Sequence, residues 1–166
     1  VKASKIYLVG FMASGKTTLA HTLAKRLDWQ PVDIDALIEA REHMLIADIF
    51  ARRGEPYFRA VEHTVLFEQL RVAHRVVATG GGTFVDPTNR AAINTDGVSI
   101  WLDVPLERVI ARLPTDGRRP LASDRSELER LYHLRRAAYQ QAHLHLDAGR
   151  ASADGLAEQV VDWLGA

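Results

Sequence analysis

One stretch of this chain has the residue types and spacing to hold a polyphosphate: Gly10-Phe11-Met12-Ala13-Ser14-Gly15-Lys16-Thr17. It fits the pattern G-x-x-x-x-G-K-[ST] in full, with an apolar run before it and helical spacing after it. Each part has a physical task. Glycines let the backbone curl so that successive N–H groups face phosphate oxygens. The helix that follows adds the positive end of its dipole. A lysine at position 16 reaches the outer phosphates, and the Thr17 hydroxyl suits Mg²⁺. The stretch from Ala13 to Thr18 therefore reads as a site for a nucleoside triphosphate. The loop does not say where the phosphate goes. A guanine-reading N-K-x-D is absent, and a transporter ATPase would be larger, which leaves a kinase for a nucleotide or small metabolite.

Such a kinase needs an acceptor pocket and further cations. Asp33 and Asp35 flank Ile34 at the end of a predicted strand, where a period of two would send both carboxylates to one face. Like charges so close require a metal or hydrogen-bond donors. One suits Mg²⁺ through water and the other an acceptor hydroxyl; the competing role for Asp35 is to cap the next helix. Arg135 falls among Leu128, Leu131, Tyr139 and Ala142, near the middle of an apolar helix face, while Arg136 lies about 100° away. An inward guanidinium needs an anion, unless it snorkels to the surface. Arg59 repeats the case, with Glu62 three residues on as an orienting partner or as half of a weak surface pair. Two inward arginines suit a substrate carboxylate. Gly80-Gly81-Gly82 after a buried strand permits close backbone approach to a ligand, or is a flexible turn. Arg118-Arg119-Pro120 offers a guanidinium for the transferring phosphoryl group, or solvated loop charge. His143 and His145 alternate on a strand and have no metal spacing.

The elements that must position these groups alternate along the chain. Ile6–Val9, a run around Val32 ending at Asp33-Ile34-Asp35, Val76–Ala78, Val98–Leu102 and Leu144–Leu146 read as strands. Leu19, Leu23 and Leu27 share one helix face. Helical segments continue to about Leu70, broken at Gly54, with Pro56 near the start of the longer one. Further helices start at Asp86-Pro87 and at Pro105. Ser126 and Glu129 form a capping box for a helix running to about Ala142, and Leu156, Val160 and Leu164 mark the last. Pro114 to Asp124 is polar and reads as a lid. This alternation implies an α/β domain, a parallel sheet with helices on both faces. Ligands of such sheets bind beyond the carboxyl ends of the strands, which puts Gly10, Asp33, Asp35, Gly80 and Asp103 along one edge.

Bulk properties narrow the field. The chain has 166 residues, 47% of them hydrophobic, a formal net charge of +0 and no cysteine. That fits a single domain over 1–166, without disulfides or thiolate chemistry. No basic excess points to nucleic acid or a membrane surface. No stretch approaches the ~20 apolar residues of a membrane span, and Ile6–Met12 is too short for a signal-peptide core. A cytoplasmic protein is expected. Lysine occurs only at 2, 5, 16 and 25, so Lys16 in its motif is informative.

Taken together, these residues resemble the shikimate kinase family over nearly the whole chain. Beside the P-loop stand Asp33-Ile34-Asp35 for D-x-D and Ile49-Phe50. They are followed by Gly54-Glu55-Pro56-Tyr57-Phe58-Arg59 with Glu62 for G-E-x-x-F-R-x-x-E, by Thr79-Gly80-Gly81-Gly82, and by Arg119-Pro120-Leu121 of the lid. The resemblance implies a three-layer α/β/α P-loop NTPase fold of the nucleoside-monophosphate-kinase type with a five-stranded parallel sheet. It also implies an acceptor-binding region at about 34–62 and a lid at about 113–125. It implies transfer of the ATP γ-phosphate to the 3-hydroxyl of shikimate, by a monomer, in aromatic amino-acid biosynthesis. Carried over, Lys16, Asp35 and Arg119 are catalytic. Arg59, Arg135 and Gly80–Gly82 bind shikimate, with Glu62 orienting Arg59 and with Phe50 and Phe58 as walls. Thr17 and Asp33 serve Mg²⁺, and Arg112 and Arg150 flank the adenine. The sequence departs from the family pattern at Ala13 (often glycine), Ala122 (often leucine) and Ala137 (often proline). Rival readings are a kinase for another polyol acid, such as gluconate, and a nucleotide-binding relative without catalysis.

Overall fold

The computed structural model describes residues 2–113 and 125–165. Strands β1 (Lys5–Val9), β2 (Gln30–Asp33), β3 (Arg75–Ala78), β4 (Val98–Asp103) and β5 (Leu144–Asp147) form one sheet in the order β2-β3-β1-β4-β5, and every pair is parallel. β1, central in that order, is buried along its whole length, as a strand with the apolar run Ile6–Val9 and neighbours on both sides must be. The fold is α/β, as the alternation of elements predicts.

Helix α1 (Lys16–Leu27) carries the chain from β1 outward to the edge strand β2. Helices α2 (Ile34–Glu42), α3 (Ile46–Arg53) and α4 (Glu55–Gln69) bring it back to β3. Helix α5 (Pro87–Asp96) leads to β4, α6 (Leu106–Arg112) and α7 (Arg125–Tyr139) to β5, and α8 (Ala153–Leu164) ends the fold. Right-handed crossovers fix the layers: the outward step via α1 and the return steps via the others must use opposite faces. α8 packs beside α1 and completes its layer. Because β1 connects on one face while β3 and β4 connect on the other, the carboxyl end of β1 is a topological switch point, where a crevice opens. The P-loop begins there.

Local chemistry explains the ends of the elements. Leu19 and Leu23 are buried on one face of α1, each contributing about 1.5–3 kcal/mol of apolar burial. Asp86 caps α5 by accepting from Thr88 N and Asn89 N, ahead of Pro87 in the first turn. Gly54 separates α3 from α4 at φ 86, a conformation open to glycine at little cost. The long helix α7 ends at Tyr139 rather than near Ala142, and Ser126 lies inside it instead of at its cap. At the opposite, amino-terminal edge of the sheet, Lys5 Nζ pairs with Asp96 Oδ2 at 2.7 Å, and the Tyr7 hydroxyl donates to the same oxygen at 2.6 Å. Burial, then Asp96, pushes the Tyr7 phenol far above its usual pKa.

Candidate active site

A cavity of about 1160 Å³ lies along the carboxyl edge of the sheet, larger than most sites for one small ligand. Its wall holds Ala13 through Thr18, Asp33, Asp35, Phe50, Phe58, Arg59, Glu62, Gly80 through Gly82, Arg112 and Arg135. Residues scattered over more than 120 positions of sequence thus meet in one space.

The phosphate loop is built as its sequence requires. Gly15 is left-handed at φ 95, and Ala13 shares that region at φ 58, a conformation costing a non-glycine residue roughly 1–2 kcal/mol. Helix α1 begins at Lys16, whose ammonium donates to the carbonyls of Gly10 (2.7 Å) and Phe11 (2.8 Å). Its charge therefore sits inside the curl of the loop. Arg112, the last residue of α6, donates to Ala13 O at 3.2 Å and so stands over the loop.

Thr17 Oγ1 donates to Asp33 Oδ2 at 2.8 Å, while Asp33 Oδ1 accepts from Ala36 N at 3.1 Å and caps α2. The expectation that Asp33 and Asp35 share a face through strand periodicity is corrected here. β2 stops at Asp33, and Asp35 lies in the first turn of α2. The cap is Asp33, not Asp35, because the short extended Asp33 is the residue whose oxygen meets the orphan N–H groups. Asp35 is left to face the cavity.

The acceptor side is assembled around three glycines. A Cβ at Gly80 would fall 2.9 Å from Asp35 Oδ1, one at Gly81 3.0 Å from Arg135 Nη1, and one at Gly82 2.6 Å from Arg59 Nη2. The turn after β3 is therefore the floor against which all three charged groups are pressed, not merely a flexible turn. Arg59 pairs with Glu62 (Nη1–Oε1 3.0 Å) and with Glu55 (Nε–Oε1 3.5 Å). Glu62 is 1% exposed, so a weak surface pair is ruled out. The buried carboxylate also accepts from Thr83 Oγ1 at 2.9 Å, and Gly80 N donates to that same hydroxyl oxygen at 3.0 Å. Phe50 and Phe58 pack ring to ring at 4.7 Å beside them.

Arg135 is 6% exposed and does not snorkel. Its guanidinium lies 5.9 Å from the centre of the Phe11 ring, which meets Tyr132 edge-on at 5.2 Å. Burial pushes its pKa below the usual arginine range, partly countered by Tyr139, while the Arg59 charge adds to the lowering. Tyr139 also donates to Gly81 O, and burial pushes its phenol well above the ordinary value. Two cations that disfavour each other across a cavity favour an anion between them.

Some wall residues carry no signal in the sequence. Glu39, Ile46, Ala148 and Ala151 line the cavity as ordinary helix or loop residues. Thr83, which links Glu62 to Gly80, has no motif to mark it. Tyr139 had one: it sits one turn beyond Arg135 on the same face. Arg150 is exposed, and its neighbours Ala148 and Ala151, not Arg150, are on the cavity wall. Arg119, with the whole of the expected lid from Pro114 to Asp124, lies outside the described residues. His143 accepts a hydrogen bond from Ser99 N at 3.0 Å, a structural role, and His145 is exposed.

Comparison with known proteins identifies the family. A family model described as Shikimate kinase matches residues 12–165. The chain belongs to the shikimate kinase family. It is 43% identical to the shikimate kinase of Persephonella marina over 142 residues, covering 85% of this chain and 87% of the relative. It is 42% identical to that of Thermosynechococcus vestitus over 164 residues, covering 97% and 87%. The solved shikimate kinase of Acinetobacter baumannii in complex with shikimate superposes with a TM-score of 0.93 at 33% identity, covering 97% of this chain and 92% of that one. A deoxyadenosine kinase from M. mycoides, at 16% identity and a TM-score of 0.65, shares the fold.

Proposed function

We propose that this chain transfers the γ-phosphate of ATP to the 3-hydroxyl of shikimate, giving shikimate 3-phosphate and ADP. The observation that carries this reading is the placing of Asp35, Arg59 and Arg135 on the wall of the P-loop's own cavity. That is one carboxylate for ring hydroxyls and two guanidiniums for a carboxylate. The cavity has room for a nucleotide and a small acid together.

In the reaction, the 3-hydroxyl oxygen forms a bond to the γ-phosphorus as the bridging bond to ADP breaks. Asp35 orients the hydroxyl and takes its proton. Arg59 and Arg135, with the Gly82 N–H, fix the substrate carboxylate, so the hydroxyl is presented in line, and Glu62 holds Arg59 at its angle. Lys16 and Arg119 stabilise charge on the moving phosphoryl group; positioning and electrostatics supply nearly all of the catalysis. Arg112 and the segment around Arg150 flank the base.

Thr17 and Asp33 are the residues that would hold Mg²⁺. Their oxygens are already side by side at the phosphate loop. No group of three or more acidic or histidine side chains suited to a metal occurs among the described residues. When bound, the ion neutralises charge on the phosphate oxygens. A cytoplasmic monomer belongs to the same reading; no described helix is long and apolar enough to cross a membrane.

An ADP-release assay with ATP, Mg²⁺ and a panel of acids tests the proposal. Turnover with shikimate and not with gluconate is expected. Turnover on another polyol acid alone, or ATP binding without turnover on any acid, would replace it.

A further inference from the structure

Outside the cavity, β4 and β5 carry a second charged cluster that the proposed chemistry does not use. Arg136 reaches from α7 to both carboxylate oxygens of Asp103, at 2.7 Å and 3.3 Å. Its guanidinium lies 4.8 Å from the centre of the Trp101 ring. His145 stacks on the same ring at 4.2 Å, and its Nε2 lies 2.9 Å from Asp103 Oδ2. Beside this cradle, the Tyr132 hydroxyl donates to Val104 O at 2.8 Å and accepts from Arg136 Nη1 at 3.0 Å. Two residues of α7 are thus fastened to the end of β4, and a third, Tyr139, to Gly81 O. All three fall to one side of Arg135, within roughly 100° around the helix.

We infer that Arg136 is a positioning residue for substrate binding. By locking into the cradle of Trp101, Asp103 and His145, it sets the roll of α7 about its axis and with it the aim of Arg135 across the cavity. The inference rests on the reading of Arg135 as a carboxylate ligand. Geometry gives the lever. A tip ~6 Å from a helix axis moves about 1 Å for a roll of roughly 10°, and 1 Å of misplacement can cost about 10²-fold. α7 runs as a regular helix through Ala137, so no proline bend sets that angle. The planar two-oxygen fork between Arg136 and Asp103 resists such rotation in a way that apolar contacts, which are non-directional, do not. Phe11 and Tyr132 pack edge-on beneath the two arginines, one ring under each. Through Phe11, a shift of Tyr132 reaches Arg135.

Steady-state kinetics on the full chain with Arg136→Ala, Arg135→Ala and the double variant test this, alongside thermal midpoints. Arg136→Ala is expected to raise the KM for shikimate about tenfold, with the KM for ATP changed by less than about twofold, below the ~10² of a full 1 Å error. Because Arg136 acts through Arg135, the double variant should bind shikimate no worse than Arg135→Ala alone. Asp103→Asn, which keeps the shape and removes the charge, should shift the shikimate KM in the same direction and serves if Arg136→Ala fails to fold. An unchanged shikimate KM, a parallel rise in both KM values, or full additivity in the double variant would overturn the inference. Lack of wild-type turnover on shikimate would sink the proposed function first, and this inference with it. Normal wild-type turnover with any of those three results would sink the inference alone.

Discussion

The two halves of the cavity are made in different ways. The donor half is a single curl of backbone: contiguous residues from Gly10 to Thr18, one lysine held by two of the loop's own carbonyls, and the start of one helix. The acceptor half is made of side chains from α2, α4 and α7, leaning on a glycine turn after β3. A backbone grip tolerates changes in its neighbours because its geometry is local. A grip made of long side chains is only as good as the packing that aims them. Substitutions should therefore affect the donor half through single groups, and the acceptor half through partners some distance away.

The largest effect should come from Lys16→Ala. Removing a preorganised charge from the phosphoryl group is expected to lower kcat by roughly 10²–10³. Shikimate binding, measured by calorimetric titration without nucleotide, should hardly change; a large loss there would dissolve the division into halves. Arg59→Ala should show the reverse pattern. Removing its contact with the substrate carboxylate is expected to cost about 2 kcal/mol of shikimate affinity, the low end for such charge pairs because Arg59 is partly exposed. Nucleotide binding should be unaltered in equilibrium titrations. Glu62→Gln probes the layer behind. The amide still accepts from Thr83 but holds Arg59 less firmly, so a loss of about 1 kcal/mol in shikimate affinity is expected, with the ATP KM unchanged. Tyr7→Phe, at the far edge of the sheet, should lower unfolding stability by about 1 kcal/mol in denaturant titrations and leave both KM values alone. A change in either KM there would show that the halves are not insulated from the sheet beneath them.

The same division explains what was legible in the residues alone. The P-loop, its strand and its helix could be read because their spacing is local and their chemistry is backbone chemistry. The alternation of strands and helices foretold the parallel sheet, since each β-α step buries one predictable face. Arg135 and Arg59 were legible as inward cations from helical periodicity, and spacing also offered Glu62 to Arg59, but the surroundings of Arg135 were open. A periodicity says that a side chain points in, not what it meets. Asp33 and Asp35 show the limit most clearly. Strand spacing put both on one face, whereas one ends the strand and caps the helix while the other belongs to that helix. Two residues apart are alike only if the backbone keeps one conformation across both. Thr83 and the alanines near the end of β5 had no distinguishing chemistry, and only the fold shows that they form part of the site.

The position of Phe11 bears on how a motif should be read. In the pattern G-x-x-x-x-G-K-[ST] it is an unspecified letter, yet its ring lies against Arg135 and Tyr132, on the acceptor side. The written letters of the loop name the donor, and this blank one is spelled out by what receives the phosphate. A loop transplanted from a kinase with another acceptor would keep every specified residue and still be a foreign word here.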